Sequence, residues 1–187
     1  MSGRHRIFLA LPLPDALVGA VTLLQHMLPL RRPVPADQLH VTLAFLGEID
    51  GPAVDALHVE LEAVRAAPVP IALRGIDTFG GERPRVIHAP VVPDPALSAL
   101  RRAVGRAVRD AGLSPDARRF VPHVTLARER PRGPDLMRLE QAVAAAGDFA
   151  AGPVSARGLV LFESHLHPEG ARHDPLAVYP LDAAADG

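Results

Sequence analysis

The sequence predicts an α+β protein of two similar lobes meeting at a central cleft, each lobe a small, mostly antiparallel sheet covered by helices. Three observations predict this. The pentapeptide His-Val-Thr-Leu-Ala occurs at His40–Ala44 and again at His123–Ala127, 83 residues later. Four segments place apolar residues at helical spacing, and each copy of the pentapeptide has one before it and one after. Finally, 187 residues with 48% hydrophobic content can bury a core without a covalent staple, so residues 1–187 read as one bilobal domain.

The elements follow in order. Arg6–Leu13 is a short apolar run closed by proline, a strand. Pro14-Asp15 opens a helix to Met27 with a stripe of Leu17, Val21, Leu24 and Leu28. The proline- and arginine-rich stretch 29–37 is a loop, and Leu39–Leu46 is the first motif strand. After a turn at Gly47–Gly51, Pro52–Ala66 is a helix whose stripe is Val54, Leu57, Leu61 and Val64. Ile71–Phe79 and Arg85–Val92 are strands, and Pro95–Ala111 is a helix that buries Leu97, Leu100, Val104 and Val108 before Gly112. Phe120–Arg128 is the second motif strand, Gly133–Ala146 a helix, and Pro153–Leu166 a long strand. A turn over Pro168–Pro175 leads to a last short strand at Ala177–Leu181.

Strand side chains alternate faces. His40 and Thr42 therefore share one face and Val41 and Leu43 the other, and the second copy divides in the same way. Two strands that bury Val and Leu present paired His and Thr to one cleft. An imidazole with an ordinary pKa of about 6.5 exists in both protonation states near neutrality. One ring can take a proton while the other supplies one to a leaving oxygen, as phosphodiester cleavage requires. The Thr hydroxyls can bind non-bridging phosphoryl oxygens as charge develops. The alternative, two ordinary strands with incidental histidines, needs the coincidence twice.

Composition excludes several chemistries. The chain has no cysteine, so no disulfide and no thiolate metal site. All 20 basic residues are arginine, which removes a lysine nucleophile, a P-loop lysine and Schiff-base chemistry. With no signal-like segment and no membrane-length apolar run, the expected location is the cytoplasm. The net charge of −1 gives no overall pull toward nucleic acid. Ser98–Arg138, however, holds ten arginines against four acids. That stretch fits an RNA backbone, or a solvated helix face carrying Arg101, Arg102, Arg106 and Arg109.

With these residues on the page, the chain resembles the 2H phosphoesterases, and within them the bacterial and archaeal RNA 2′,3′-cyclic phosphodiesterases, also called 2′-5′ RNA ligases. The resemblance runs through RIFLALPLP, LHVTLAFLGEI, RVIHAP, LSALRRAVGRAV, FVPHVTLAR and ESHLHPEGARHDPLAVYPL, in order. It implies pseudo-twofold symmetry, no metal or nucleotide cofactor, and hydrolysis of a 2′,3′-cyclic phosphate to a 2′-phosphomonoester. By resemblance His40 is the proton donor to the leaving 3′ oxygen, His123 activates water, and Thr42 and Thr125 hold the phosphate. With an RNA 5′-hydroxyl in place of water, the same site is implied to join ends reversibly through a 2′-5′ bond without ATP. The implied partner is RNA with cyclic phosphate ends, tRNA-like fragments among them, acted on by a monomer with no membrane association.

The fifth residue after each motif histidine is Phe45 in one half and Arg128 in the other. Phe45 is a candidate for stacking a nucleobase and Arg128 for binding phosphate. In an ideal strand both fall on the Val/Leu face, which favours a core role for Phe45 and demands a strand end or bulge before Arg128. Relatives often carry tryptophans where this chain has Arg32-Pro33-Val34 and Ile87-His88, and a closing tyrosine where it has His173. His88 is read as a satisfied strand histidine in preference to one lining the cleft. His165, His167 and His173 are a weak candidate zinc set, without an acidic ligand at familiar spacing. Three other functions stay open: a 2H enzyme for small cyclic nucleotide phosphates, a non-catalytic RNA-end-binding module, and a metallohydrolase using the same histidines.

Overall fold

Alternate residues of Arg4–Pro12 (β1) carry Ile7, Leu9 and Leu11, all inaccessible to solvent, so one face of this strand is committed to the core. In the computed structural model, described for residues 3–115, 119–167 and 170–182, β1 lies near the centre of a seven-stranded sheet. The other strands are β2 (His40–Asp50), β3 (Val69–Arg74), β4 (Asp77–Phe79), β5 (Val86–Pro90), β6 (His123–Ala127), β7 (Ala150–Ala156), β8 (Gly158–His167) and β9 (Gly170–Pro180). The large sheet runs β4-β5-β6-β2-β1-β8-β9, and β3 and β7 form a separate antiparallel pair. Asp116 and Arg118 of the arginine-rich stretch, and Pro168, lie outside the described residues.

The α+β architecture is as expected, but the two halves are less separate than two small sheets. A three-stranded half (β4, β5, β6) and a four-stranded half (β2, β1, β8, β9) join through one registered pair, Val41 opposite Val124. These are the second residues of the two pentapeptides. Equivalent residues facing each other across an antiparallel pair define a local twofold axis, so the sequence repeat becomes a structural symmetry. Below the sheet the buried side chains form one contiguous cluster from Ile7 to Leu181, shared by both halves.

Four helices cover this core: α1 (Asp15–Met27), α2 (Gly51–Glu62), α3 (Pro95–Asp110) and α4 (Pro134–Ala145). The expected stripes are buried at Leu17, Val21 and Leu24 of α1, Leu57 and Leu61 of α2, and Leu97, Leu100, Val104 and Val108 of α3. Asp50 caps α2 by accepting from the Ala53 N–H (3.0 Å), and Asp94 caps α3 by accepting from the Ala96 N–H (2.7 Å).

Three expected elements need correction. Ile71–Phe79 is two strands, split at Gly75, whose φ of 71° breaks extension and sends the halves to different sheets. Pro153–Leu166 is likewise divided, β7 pairing with β3 and β8 with β1. The segment expected to turn before a short last strand is instead the start of β9, which pairs with β8 from His167/Gly170 to Gly158/Pro180. Its His, Arg, Asp and Pro residues have low strand propensity, and cross-strand pairing overrides it.

Candidate active site

Both motif strands keep the expected alternation. Val41, Leu43, Val124 and Leu126 are buried, while His40, Thr42, His123 and Thr125 are half-buried on the opposite face. The backbone around the two motifs is built alike. His40 faces Pro12 of β1, and His123 faces Pro90 of β5. The Nδ1–H of His40 donates to the Gln38 carbonyl at 2.7 Å, and that of His123 to the Val121 carbonyl at 2.8 Å. In each case the acceptor is two residues upstream, which fixes the tautomer and leaves Nε2 as the nitrogen available for proton transfer.

The two strands also bulge at the same place. Ala10 and Leu9 are consecutive in β1 but face Thr42 and Ala44, so Leu43 is an extra residue. His88 and Ile87 of β5 face Thr125 and Ala127, so Leu126 is the extra residue in β6. One inserted residue reverses the parity of everything that follows. Positions 45 and 128 are thereby returned to the His/Thr face, resolving the parity objection to both. Buried Gln25 braces the second bulge: its side-chain amide donates to the carbonyls of Val34 (2.9 Å) and Leu126 (3.0 Å).

Phe45 faces Phe8 across the strand pair and carries the Arg6 guanidinium over its half-buried ring, 4.9 Å from the centroid. Arg128 is exposed, yet near enough for its charge to oppose protonation of His40, His123 and His173. The structure thus gathers His40, Thr42, His123, Thr125 and Arg128 around one cleft, with Phe45 at its edge under Arg6.

Beyond the motifs the surroundings differ. The His40 ring lies 5.2 Å from Phe8 and 5.4 Å, edge-on, from His173, and Phe8 stacks on Phe162 at 5.1 Å. The His123 ring lies edge-on to His88 (5.0 Å) and to Phe79 (4.9 Å), which stack on each other at 4.0 Å. Burial pulls the pKa of His40 down to about 4, aided by the charges of His173, Arg128 and His123 and opposed by the Gln38 carbonyl. Burial and the His123 charge pull His88 to about 4 as well, against Asp77 and the Val86 backbone. His123 and His173 are lowered, chiefly by burial, with Arg128 adding to both. An anionic phosphate in the cleft acts in the opposite sense, stabilising imidazolium where the free site disfavours it.

Sequence reasoning missed Phe8, Phe79 and Phe162 as site neighbours. A signal existed for Phe8, which shares its strand face with Arg6 rather than with Ile7, Leu9 and Leu11. The weak zinc set is taken apart: His173 faces the cleft beside His40, whereas His165 pairs with Asp174 (3.3 Å) and Glu163 (3.8 Å). Among the described residues, no three His, Cys, Asp or Glu side chains group as a metal site, and no helix is long and apolar enough to cross a membrane.

Known proteins share this chain's sequence pattern and fold. The 2′-5′ RNA ligase superfamily matches residues 13–167. A Geobacillus stearothermophilus protein named RNA 2′,3′-cyclic phosphodiesterase is 33% identical, with 98% of this chain aligned to 60% of the relative's length. A Thermus thermophilus protein of the same name is 35% identical, over 94% of this chain and 90% of the relative. A crystal structure from Thermus thermophilus superposes with a TM-score of 0.76 at 28% identity, covering 94% of this chain and 97% of that one. The chain belongs to the 2′-5′ RNA ligase superfamily of 2H phosphoesterases.

Proposed function

We propose that this protein hydrolyses 2′,3′-cyclic phosphate ends of RNA to 2′-phosphomonoesters, by acid–base catalysis from His40 and His123 without a metal ion. One observation carries the reading: two imidazoles related by a local twofold, each with Nδ1–H held by a carbonyl two residues upstream and Nε2 left for proton transfer. His123 Nε2 takes a proton from water as the water oxygen bonds to phosphorus. The bond from phosphorus to the 3′ oxygen breaks, and His40 Nε2 gives that oxygen a proton, leaving a 2′-phosphate and a 3′-hydroxyl. Thr42 and Thr125 donate to the non-bridging oxygens, and Arg128 offsets the growing negative charge. Phe45 contributes on the substrate side by holding Arg6 and offering its ring edge to a base.

The assignment of His40 as donor and His123 as acceptor follows the family resemblance; burial leaves the free His40 neutral, so the bound phosphate has to restore its proton before it can donate. With an RNA 5′-hydroxyl in place of water, His123 takes the proton of that hydroxyl as its oxygen bonds to phosphorus, the bond to the 3′ oxygen breaks, and a 2′-5′ linkage and a 3′-hydroxyl result. The test is turnover of an oligoribonucleotide ending in a 2′,3′-cyclic phosphate, in excess EDTA, for wild type beside His40→Ala and His123→Ala. Cleavage to a 2′-phosphate that both substitutions abolish supports the mechanism. Activity lost in EDTA, or indifferent to either histidine, sinks it.

A further inference from the structure

We propose that a pocket beside the cleft, between residues 82–85 and 130–133, is a second phosphate site that holds the backbone of the RNA strand carrying the cyclic end. This rests on the proposed cleft chemistry. The pocket has a volume of about 460 Å³ and is lined by the exposed Arg83, Arg85, Arg130 and Arg132, with Glu82 the one acid among its lining residues and Leu136 at its wall.

Four guanidiniums around one concavity repel each other unless an anion sits among them. Two further acids nearby are committed elsewhere, which leaves Glu82 alone against the four arginines. The Glu129 carboxylate accepts from the Arg31 backbone N–H at 3.0 Å, and Asp135 pairs with the Arg31 guanidinium and, at 3.8 Å, with Arg138. Among the described residues, none of the four pocket arginines has a carboxylate within ion-pair distance.

The pocket is joined to the cleft on both sides. Arg128, Arg130 and Arg132 alternate along one segment that leaves the second motif. On the other side the Arg85 N–H donates to the Phe79 carbonyl at 2.8 Å, and the Phe79 ring lies against His123. The turn presenting Arg83 and Arg85 is fixed by Gly80: its φ is 118°, and a Cβ there would lie 2.4 Å from the Arg83 carbonyl oxygen. The arginine-rich stretch therefore divides in function. Arg102, Arg106 and Arg109 are exposed on α3, and Arg101 packs over Phe120, whereas Arg130 and Arg132 form the anion site with Arg83 and Arg85.

The experiment compares a 2′,3′-cyclic mononucleotide with an oligoribonucleotide ending in the same group, for wild type, R130A/R132A, R130K/R132K and R83A. The expected result is a KM for the oligonucleotide raised about tenfold in R130A/R132A, partly restored by lysine, with mononucleotide turnover unchanged. The dependence of oligonucleotide binding on salt should also flatten, by about 0.7 in log–log slope for each phosphate that is no longer neutralised. Equal losses on both substrates, or no change on either, overturn the proposal. If wild type turns over neither substrate, the cleft reading has failed, and fluorescence-anisotropy titration with the oligonucleotide still decides on the pocket. A weaker, less salt-sensitive complex in R130A/R132A supports it, and identical curves overturn it.

Discussion

The halves around His40 and His123 share a backbone and differ in nearly every side chain beyond the pentapeptide. Each has its histidine opposite a proline, an Nδ1–H tied to the carbonyl two residues back, and a bulge at the fourth motif residue. Around His40, however, stand Phe8, Phe162 and His173, and around His123 stand Phe79 and His88. After the bulge one half offers Phe45 and the other Arg128. The repeat supplies two equivalently placed imidazoles, but the proposed reaction is not symmetric, since one must give what the other takes. The surroundings break the equivalence, so roles are to be sought outside the motifs.

The largest expected effect tests whether both halves are needed. His40→Ala and His123→Ala should each lower kcat/KM on a cyclic-ended oligonucleotide by about 10²–10⁴-fold. The double variant should be little worse than either single, because the two act in one step. If one single variant retains near-wild-type turnover, the paired mechanism is broken. Next in size is the asymmetric pair at the fifth position. Arg128→Ala should lower kcat by about 10²-fold with partial rescue by lysine, as expected for a donor aimed at developing charge. Phe45→Ala should act mainly on KM, by about tenfold or less. The reverse ranking would exchange the roles of the two halves.

The depressed histidines give the comparison a pH axis. His88 titrates at about 4 in the fold and about 6.5 when unfolded, so below pH 6.5 the unfolded chain binds more protons. The stability His88 contributes is intact above pH 6.5 and is lost as the pH falls toward 4. Because its side chain is 1% exposed, the loss between pH 7 and 5 is about 2 kcal/mol. His88→Phe keeps a ring against Phe79 and removes that proton. Its Tm should fall less than that of wild type on acidification, as read by calorimetry at pH 7, 6 and 5. Equal acid sensitivity would mean that the titrating burden lies in the His40 half.

Much of this site was legible in the sequence because its signals are local. Alternation placed His and Thr against Val and Leu, and the repeat implied that two strands share a cleft. The bulges were not legible. Leu43 and Leu126 are ordinary apolar strand residues, and their extra position exists only relative to the neighbouring strands β1 and β5. Periodicity therefore put Phe45 and Arg128 on the wrong face. The merging of two expected sheets into one was hidden for the same reason, as it hangs on the single Val41–Val124 pairing. The length of β9 was masked by His173, Asp174 and Pro175, residues that spell a turn until β8 is there to pair with them.

The smallest effect asks whether the halves are one folding unit. The helix caps Asp50 and Asp94 sit after strands of different halves, at the starts of α2 and α3. Replacing either by alanine should cost about 1 kcal/mol. Neither side chain belongs to the cleft, so kcat/KM should be unchanged. If the lobes were independent, each cap would destabilise its own half, and calorimetry would resolve two transitions that separate further in one variant than in the other. The continuous buried cluster from Ile7 to Leu181 argues otherwise. Both variants should melt in one transition, lowered by about 2–4 °C, because the halves that diverged around their histidines still share a single core.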